Sequence, residues 1–178
     1  IQEKGDFLEQ SFSVLNEDDI VVIGRVGEKS AERNKALGSN VENFIRGANC
    51  TVMTVGEHFK APTRFIFAYE YSPTCIKMMK RIAQSDLLKL LQCHLLYVGD
   101  HPEVLNEPAD FLTSAGLDVV VEYRYGDVAE NILDYQREHG IQLIVLGAFS
   151  HSKIHQFFLG SITTNIFRNS TVPLLVAK

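Results

Sequence analysis

The sequence predicts a parallel α/β sheet covered by helices on both faces. Three observations carry that expectation. Strand-like and helix-like segments alternate along the chain, the strand-like runs are apolar without an in–out rhythm, and one pattern is written twice.

The repeat sets the organisation. Gly5-Asp6-Phe7-Leu8-Glu9 opens a segment that passes through Ile20-Val21-Val22-Ile23-Gly24 and Leu37-Gly38-Ser39 to Thr51-Val52-Met53-Thr54-Val55. Gly126-Asp127-Val128-Ala129-Glu130 opens a second, running through Leu143-Ile144-Val145-Leu146-Gly147 and Leu159-Gly160-Ser161 to Pro173-Leu174-Leu175-Val176-Ala177. The offset stays between 121 and 123 residues, a period that means a duplicated domain, since solenoid repeats are far shorter. About sixty residues with two strand-like runs precede the second copy from the linker onward, and four precede the first. The first copy is therefore expected to be the back half of a domain, and the chain, which starts with Ile, a fragment.

In order along the chain, Phe7, Leu8, Phe12, Val14 and Leu15 suit one face of a helix over 6–16, which Asp18-Asp19 ends. Ile20 to Ile23 is a β-branched run closed by Gly24, as a strand buried on both faces requires. A charged loop covers 25–37, a helix begins over Gly38 to Arg46, and Cys50 to Val55 is a strand. Gly56 to Pro62 carries linker chemistry. The alternation then runs strand Phe65–Tyr69, helix Thr74–Leu91, strand His94–Val98, helix Glu107–Ser114 and strand Val119–Tyr123. It continues with helix Val128–Glu138, strand Leu143–Leu146, helix Ile162–Arg168 and strand Leu174–Ala177. Ligands of such sheets bind outside the carboxyl ends of strands, where the strand order reverses.

Composition narrows the function. The 178 residues suit one domain plus a partial one, and 46% hydrophobic content supplies a core. A net charge of -5 with no cluster of Lys and Arg excludes a dedicated nucleic-acid binder, which must neutralise phosphates. Three widely spaced cysteines, Cys50, Cys75 and Cys93, form no Cys-x-x-Cys and read as reduced, which points to the cytoplasm. No apolar run approaches the roughly twenty residues of a membrane span, and no signal peptide is visible.

The sharpest local feature is Gly147-Ala148-Phe149-Ser150, then nine residues, then Gly160-Ser161. It puts glycines and hydroxyls at a strand exit and a helix start, where unpaired N–H groups and the positive end of the helix dipole attract an anion. Ser161, Thr163 and Lys153 would add donors. The plainer reading is that Ser161 caps its helix and Gly160 makes the turn, and the residues alone leave both open.

Gly-x-x-Gly, nine residues, then Gly-Ser resembles the nucleotide-binding branch of the universal stress protein family. Leu146-Gly147-Ala148-Phe149-Ser150-His151-Ser152, Leu159-Gly160-Ser161 and Val172-Pro173-Leu174-Leu175-Val176 look like the back half of its domains. Phe67-Ala68-Tyr69-Glu70-Tyr71-Ser72 looks like its first strand, and Tyr125-Gly126-Asp127 like the end of its third. The resemblance implies a tandem protein: 1–56 the C-terminal half of a first domain, 57–63 a linker, and 64–178 a complete second one. It implies a Rossmann-like, adenine nucleotide alpha hydrolase-like fold with a parallel five-stranded sheet. It further implies ATP or AMP, with Mg, held by Ala68, Glu70, Val98, Gly147, Ser150, Gly160, Ser161 and Thr163, and dimer contacts through the last strand of each domain. No catalytic residue is assigned, and the activity implied is at most slow ATP hydrolysis.

Departures fall on the pocket. Ser150 stands where the family has a second glycine, which costs on the order of a kcal/mol if that backbone needs positive φ. Glu70 stands where an Asp is usual, one methylene longer. The first copy keeps Gly24 and Gly27 but has ten residues before Gly38-Ser39 and lacks the two strands an adenine pocket needs. A protein-interaction module without nucleotide is the alternative function, its partner unknown.

Other candidates carry two readings each. His151 and His155, four apart, suit a metal only if His139 or Asp127 lies near, and otherwise a solvated loop. Cys75 at a helix start has either a dipole-lowered thiol pKa or a buried packing role. Tyr69, Tyr71, Tyr97, Tyr123 and Tyr125 either line the ligand crevice or pack at strand ends. Neither Ser72 nor Ser161 sits in a Gly-x-Ser-x-Gly nucleophile context. Cys50–Val55 and Leu174–Ala177 are expected at sheet edges, where they would seek partners in a homodimer or, between the two copies, a pseudo-dimer. The fragment is then expected to self-associate or to keep the missing part bound.

Overall fold

A computed structural model describes residues 7–25, 39–56, 59–147 and 161–177. The first copy contributes α1 (Phe7–Val14), β1 (Ile20–Gly24), α2 (Ser39–Gly47) and β2 (Thr51–Val55). The remainder contributes β3 (Arg64–Tyr69), α3 (Pro73–Gln84), α4 (Asp86–Lys89), β4 (Gln92–Val98), α5 (Asn106–Ser114), β5 (Asp118–Arg124), α6 (Val128–Glu138), β6 (Leu143–Gly147), α7 (Ser161–Asn169) and β7 (Leu174–Ala177).

These strands form a single seven-stranded sheet in the order β1-β2-β7-β6-β3-β4-β5. Every neighbouring pair is parallel except β2 with β7. The sequence expectation that these two strands lie at sheet edges is corrected: each is paired on both sides within the chain, and β1 and β5 form the edges. Their exchange of backbone bonds with one another buries apolar strands that would otherwise be exposed.

Burial on both faces explains why the apolar runs of β3 and β6 do not alternate, whereas the same expectation for residues 20–23 is corrected: β1 lies at a sheet edge and leaves Ile20 and Val22 exposed. All five residues of β6 are buried, as are Phe65 to Tyr69 of β3. On one face Ile66, Ala68, Ile144, Leu146, Leu174 and Val176 pack against α2, α6 and α7; on the other, Phe65, Phe67, Leu95, Leu143 and Val145 pack against α3 and α5. Among the described residues no helix is long and apolar enough to cross a membrane.

Two of the departures from the expected boundaries have a local cause. The helix expected over 74–91 is two, because Ser85 takes an extended backbone and its hydroxyl accepts from Leu88 N at 3.3 Å, capping a new turn. The helix expected from Glu107 starts at Asn106 and is preceded by a 3-10 turn at Pro102–Leu105. Other starts follow their capping chemistry: Ser72 accepts from Cys75 N at 3.2 Å ahead of Pro73, and Asp127 accepts from Glu130 N at 2.9 Å.

The two parts of the chain are fastened by arginines. Arg81 of α3 donates to Thr51 Oγ1, to Glu17 O at 2.8 Å and to Asp18 Oδ1 at 3.1 Å. Arg25, at the exit of β1, donates to Phe167 O, to Ser170 O at 2.5 Å and to Val172 O at 3.4 Å at the end of α7.

Candidate functional site

From β3 the chain crosses over α3 to β4 on one side and later returns over α6 to β6 on the other, so the strand order reverses at β3. At such a point the two crossover helices diverge and leave a crevice beyond the strand ends. A cleft of about 310 Å³ lies there.

Its floor is Ala68, Tyr69 and Glu70 at the exit of β3 and Leu96, Tyr97 and Val98 at the exit of β4. Tyr71 and Ser72 lead into α3, and Val104 comes from the 3-10 turn. Val128 and Ile132 of α6 and Ile162 of α7 complete the wall. Aliphatic side chains on several sides with a carboxylate and hydroxyls at the rim suit a flat, partly apolar ligand carrying polar groups, and the volume is at the small end of ligand pockets.

Of the residues singled out in the sequence, Ala68, Glu70 and Val98 line this cleft. Ser161 is the first residue of α7 and exposed, beside the lining residue Ile162. Thr163 is fully buried in the next positions of the same turn, and its hydroxyl has no hydrogen-bond partner among the described residues. Gly147 ends β6 against the first turn of α3: a Cβ there would sit 3.1 Å from Cys75 Sγ and 3.3 Å from Cys75 N. This glycine thus has a packing reason, the close approach of strand and helix. Ser150 and Gly160 lie outside the described residues, as do Lys153, His151 and His155.

The other candidates resolve by contact. Cys75 is buried, its thiol donating toward Ala68 O at 3.5 Å, and burial pushes its pKa up to about 11, against the helix-dipole reading. Ser72 is the cap of α3. Tyr69, Tyr71 and Tyr97 line the cleft, whereas Tyr123 and Tyr125 meet edge to face at 5.8 Å on the outer strand. Burial, then the neighbouring Cys75, Glu107 and Tyr71, raises the Tyr69 pKa. His139 stacks on Tyr135 at 4.0 Å, and no group of three or more metal-ligating side chains occurs among the described residues.

Val104, Val128 and Ile132 carry no signal in the sequence because apolar residues of a turn and a helix look like core until topology aims them at one crevice. Gly99 is similar. A Cβ there would meet Tyr97 Oη at 2.4 Å, so this glycine makes room for the phenol beside the exit of β4.

A model of the universal stress protein family matches residues 81–178. The universal stress protein Slr1230 of Synechocystis is 31% identical over 185 residues, an alignment covering 100% of this chain and 64% of that protein. YxiE, a universal stress protein of Bacillus subtilis, is 28% identical over 76 residues, 43% of this chain and 51% of its own length. Among solved structures, a universal stress protein from Archaeoglobus fulgidus superposes with a TM-score of 0.69 at 20% identity, over 89% of this chain and 60% of that one. A universal stress protein in complex with cAMP superposes with a TM-score of 0.57 at 20% identity, over 67% of this chain and 98% of that one. At these structural identities the likeness shows the fold. The chain spans less than two thirds of the length of the Synechocystis and Archaeoglobus proteins.

Proposed function

Since this chain belongs to the universal stress protein family, we propose that residues 64–178 bind an adenine nucleotide, ATP or AMP, as a regulatory ligand in a cytoplasmic stress response. The observation that carries the reading is the cleft at the exits of β3 and β4 with the N-terminal turn of α7 at its wall. Leu96, Val98, Val128, Ile132 and Ile162 supply apolar surface for a base, and Glu70 a carboxylate for hydroxyl or amino donors. Ser161 and the first N–H groups of α7, which have no acceptor within the helix itself, supply donors for phosphate oxygens. The structural neighbour in complex with cAMP gives a precedent for an adenine nucleotide on this fold. Bound nucleotide would bring phosphate charge and its Mg, and the activity that goes with this reading is at most slow ATP hydrolysis.

The tandem reading accompanies this. In it β7-β6-β3-β4-β5 is one five-stranded domain, 57–63 a linker, and 1–56 the back half of a first domain whose last strand pairs with the second domain's as a pseudo-dimer. The support is the equivalence of α2 and α7, whose bounds both differ by 122 residues, and the adjacency of β1 with β2 as of β6 with β7.

Equilibrium dialysis with labelled ATP and AMP in the presence of Mg tests the function. The expected result is one saturable site per chain, lost when Val98→Trp fills the cleft with the fold retained. Absence of saturable binding at millimolar nucleotide overturns it. That result would leave a protein-interaction module without nucleotide as the reading.

A further inference from the structure

β5 is an edge strand of seven residues without proline, and no described strand pairs with its outer side. Gly99 N donates to Arg124 O at 2.9 Å, so Arg124, Glu122, Val120 and Asp118 direct their backbone groups toward β4. The alternation of a strand then turns the N–H and C=O of Val119, Val121 and Tyr123 outward. The same residues carry apolar side chains on one face, with Val121 49% and Tyr123 48% exposed. A seven-residue edge strand with one apolar, partly exposed face is a template for strand addition.

We infer that β5 pairs antiparallel with β5 of a second copy of this chain, about a two-fold axis at Val121, to continue the sheet across two molecules. Antiparallel pairing centred there sets Val121 opposite Val121 of the second copy and Val119 opposite Tyr123, three pairs whose backbone groups all point at each other. Apolar side chains then face apolar side chains. On the other face Asp118 falls opposite Arg124, twice by symmetry, which is a favourable cross-strand pair.

Charge also excludes the neighbouring registers. Sliding by one step toward the start of the strand sets Asp118 opposite Glu122, and sliding the other way sets Glu122 opposite itself; like charges directly opposite destabilise a pair. The second sheet edge, β1, has exposed Ile20 and Val22 but no charged residue within Ile20–Gly24 to fix a register. The pairing is independent of any nucleotide.

Light scattering and cross-linking on the whole chain test it. The expected mass is twice 20.0 kDa, falling to the monomer in Val121→Lys, which sets two lysines against each other at the axis, and unchanged in Val22→Lys on β1. Under mild oxidation Val121→Cys forms a disulfide dimer, because paired Cα atoms at the axis are about 5.5 Å apart. Val119→Cys does not, since its equivalents lie four residues out of line; the native cysteines are buried. A monomeric wild-type chain, a dimer that survives Val121→Lys, or equal cross-linking at 119 and 121 overturns the proposal.

Discussion

Met53 lies opposite Leu175 in the antiparallel join between β2 and β7, and the two positions are equivalents in the doubled sequence, 122 residues apart. Val52 faces Val176 and Thr54 faces Leu174 on either side of them. The join therefore reads the same in both directions.

Arg25 tethers the exit of β1 to the segment that leads from α7 into β7. Its guanidinium holds three carbonyls at the end of α7, where a cation also meets the negative end of the helix dipole. Arg25→Ala is expected to cost about 1.5–3 kcal/mol, the range for hydrogen bonds to a charged group. Arg25→Lys should recover little, because a single ammonium cannot fork across separated acceptors. Urea unfolding of the three proteins measures this, and a lysine variant as stable as wild type would refute the fork.

Gly147 tests the closeness of β6 to α3. A side chain there presses on the backbone nitrogen of Cys75, and a backbone atom of a capped first turn cannot swing aside. Gly147→Val is expected to destabilise by about 1–3 kcal/mol, as overpacking does. Adding Cys75→Ala relieves the contact with Sγ but not that with N, so thermal unfolding of the double variant should show partial recovery.

Much of this architecture was legible because burial on both faces leaves a direct trace in runs such as Leu143 to Leu146, and caps such as Asp127 act within one turn. Ser85 was harder: its break depends on a side chain closing a new turn inside an otherwise helical pattern. The partner of β2 was expected to be β7 or the same strand of a second copy, and the sequence left the two open because strand order is a long-range property and nothing local in Thr51–Val55 names Leu174 as its neighbour. In the cleft, the lining residues Ala68, Glu70 and Val98 were named through the family resemblance, while Val104 and Ile132 arrive from crossovers whose direction only the assembled sheet fixes.

The thiols give a chemical readout of the core. Cys75 and Cys93 are buried, and burial pushes their pKa values up to about 11 and about 12. Thiolate is the reactive form, so both should resist a disulfide reagent at neutral pH in the folded protein. Cys50 is buried as well. The expected titration is no rapid labelling when native and three thiols after denaturation; fast reaction at Cys75 would restore the activated-thiol reading.

His94 supplies a pH dependence with a definite sign. Its Nδ1 lies 2.8 Å from Tyr135 Oη and its Nε2 3.1 Å from Gln92 Oε1, while Gln92 Nε2 donates to Asp118 Oδ2 at 2.8 Å. Since that amide turns its oxygen toward the ring, Nε2 carries the proton and the Tyr135 hydroxyl donates to Nδ1, a network complete with a neutral imidazole. Burial, then His139 and Arg64, lowers the His94 pKa from 6.5, outweighing Asp118 and Glu122, which raise it. The folded state thus binds a proton less readily than the unfolded chain. Stability contributed by this site is present above the unfolded value of 6.5 and is lost as pH falls from there toward the lower folded value. Unfolding free energy measured across that interval should decline with acidity in the wild type, and the decline should shrink in His94→Gln, which cannot titrate. An equal slope in both proteins would show that another group governs the acid limb.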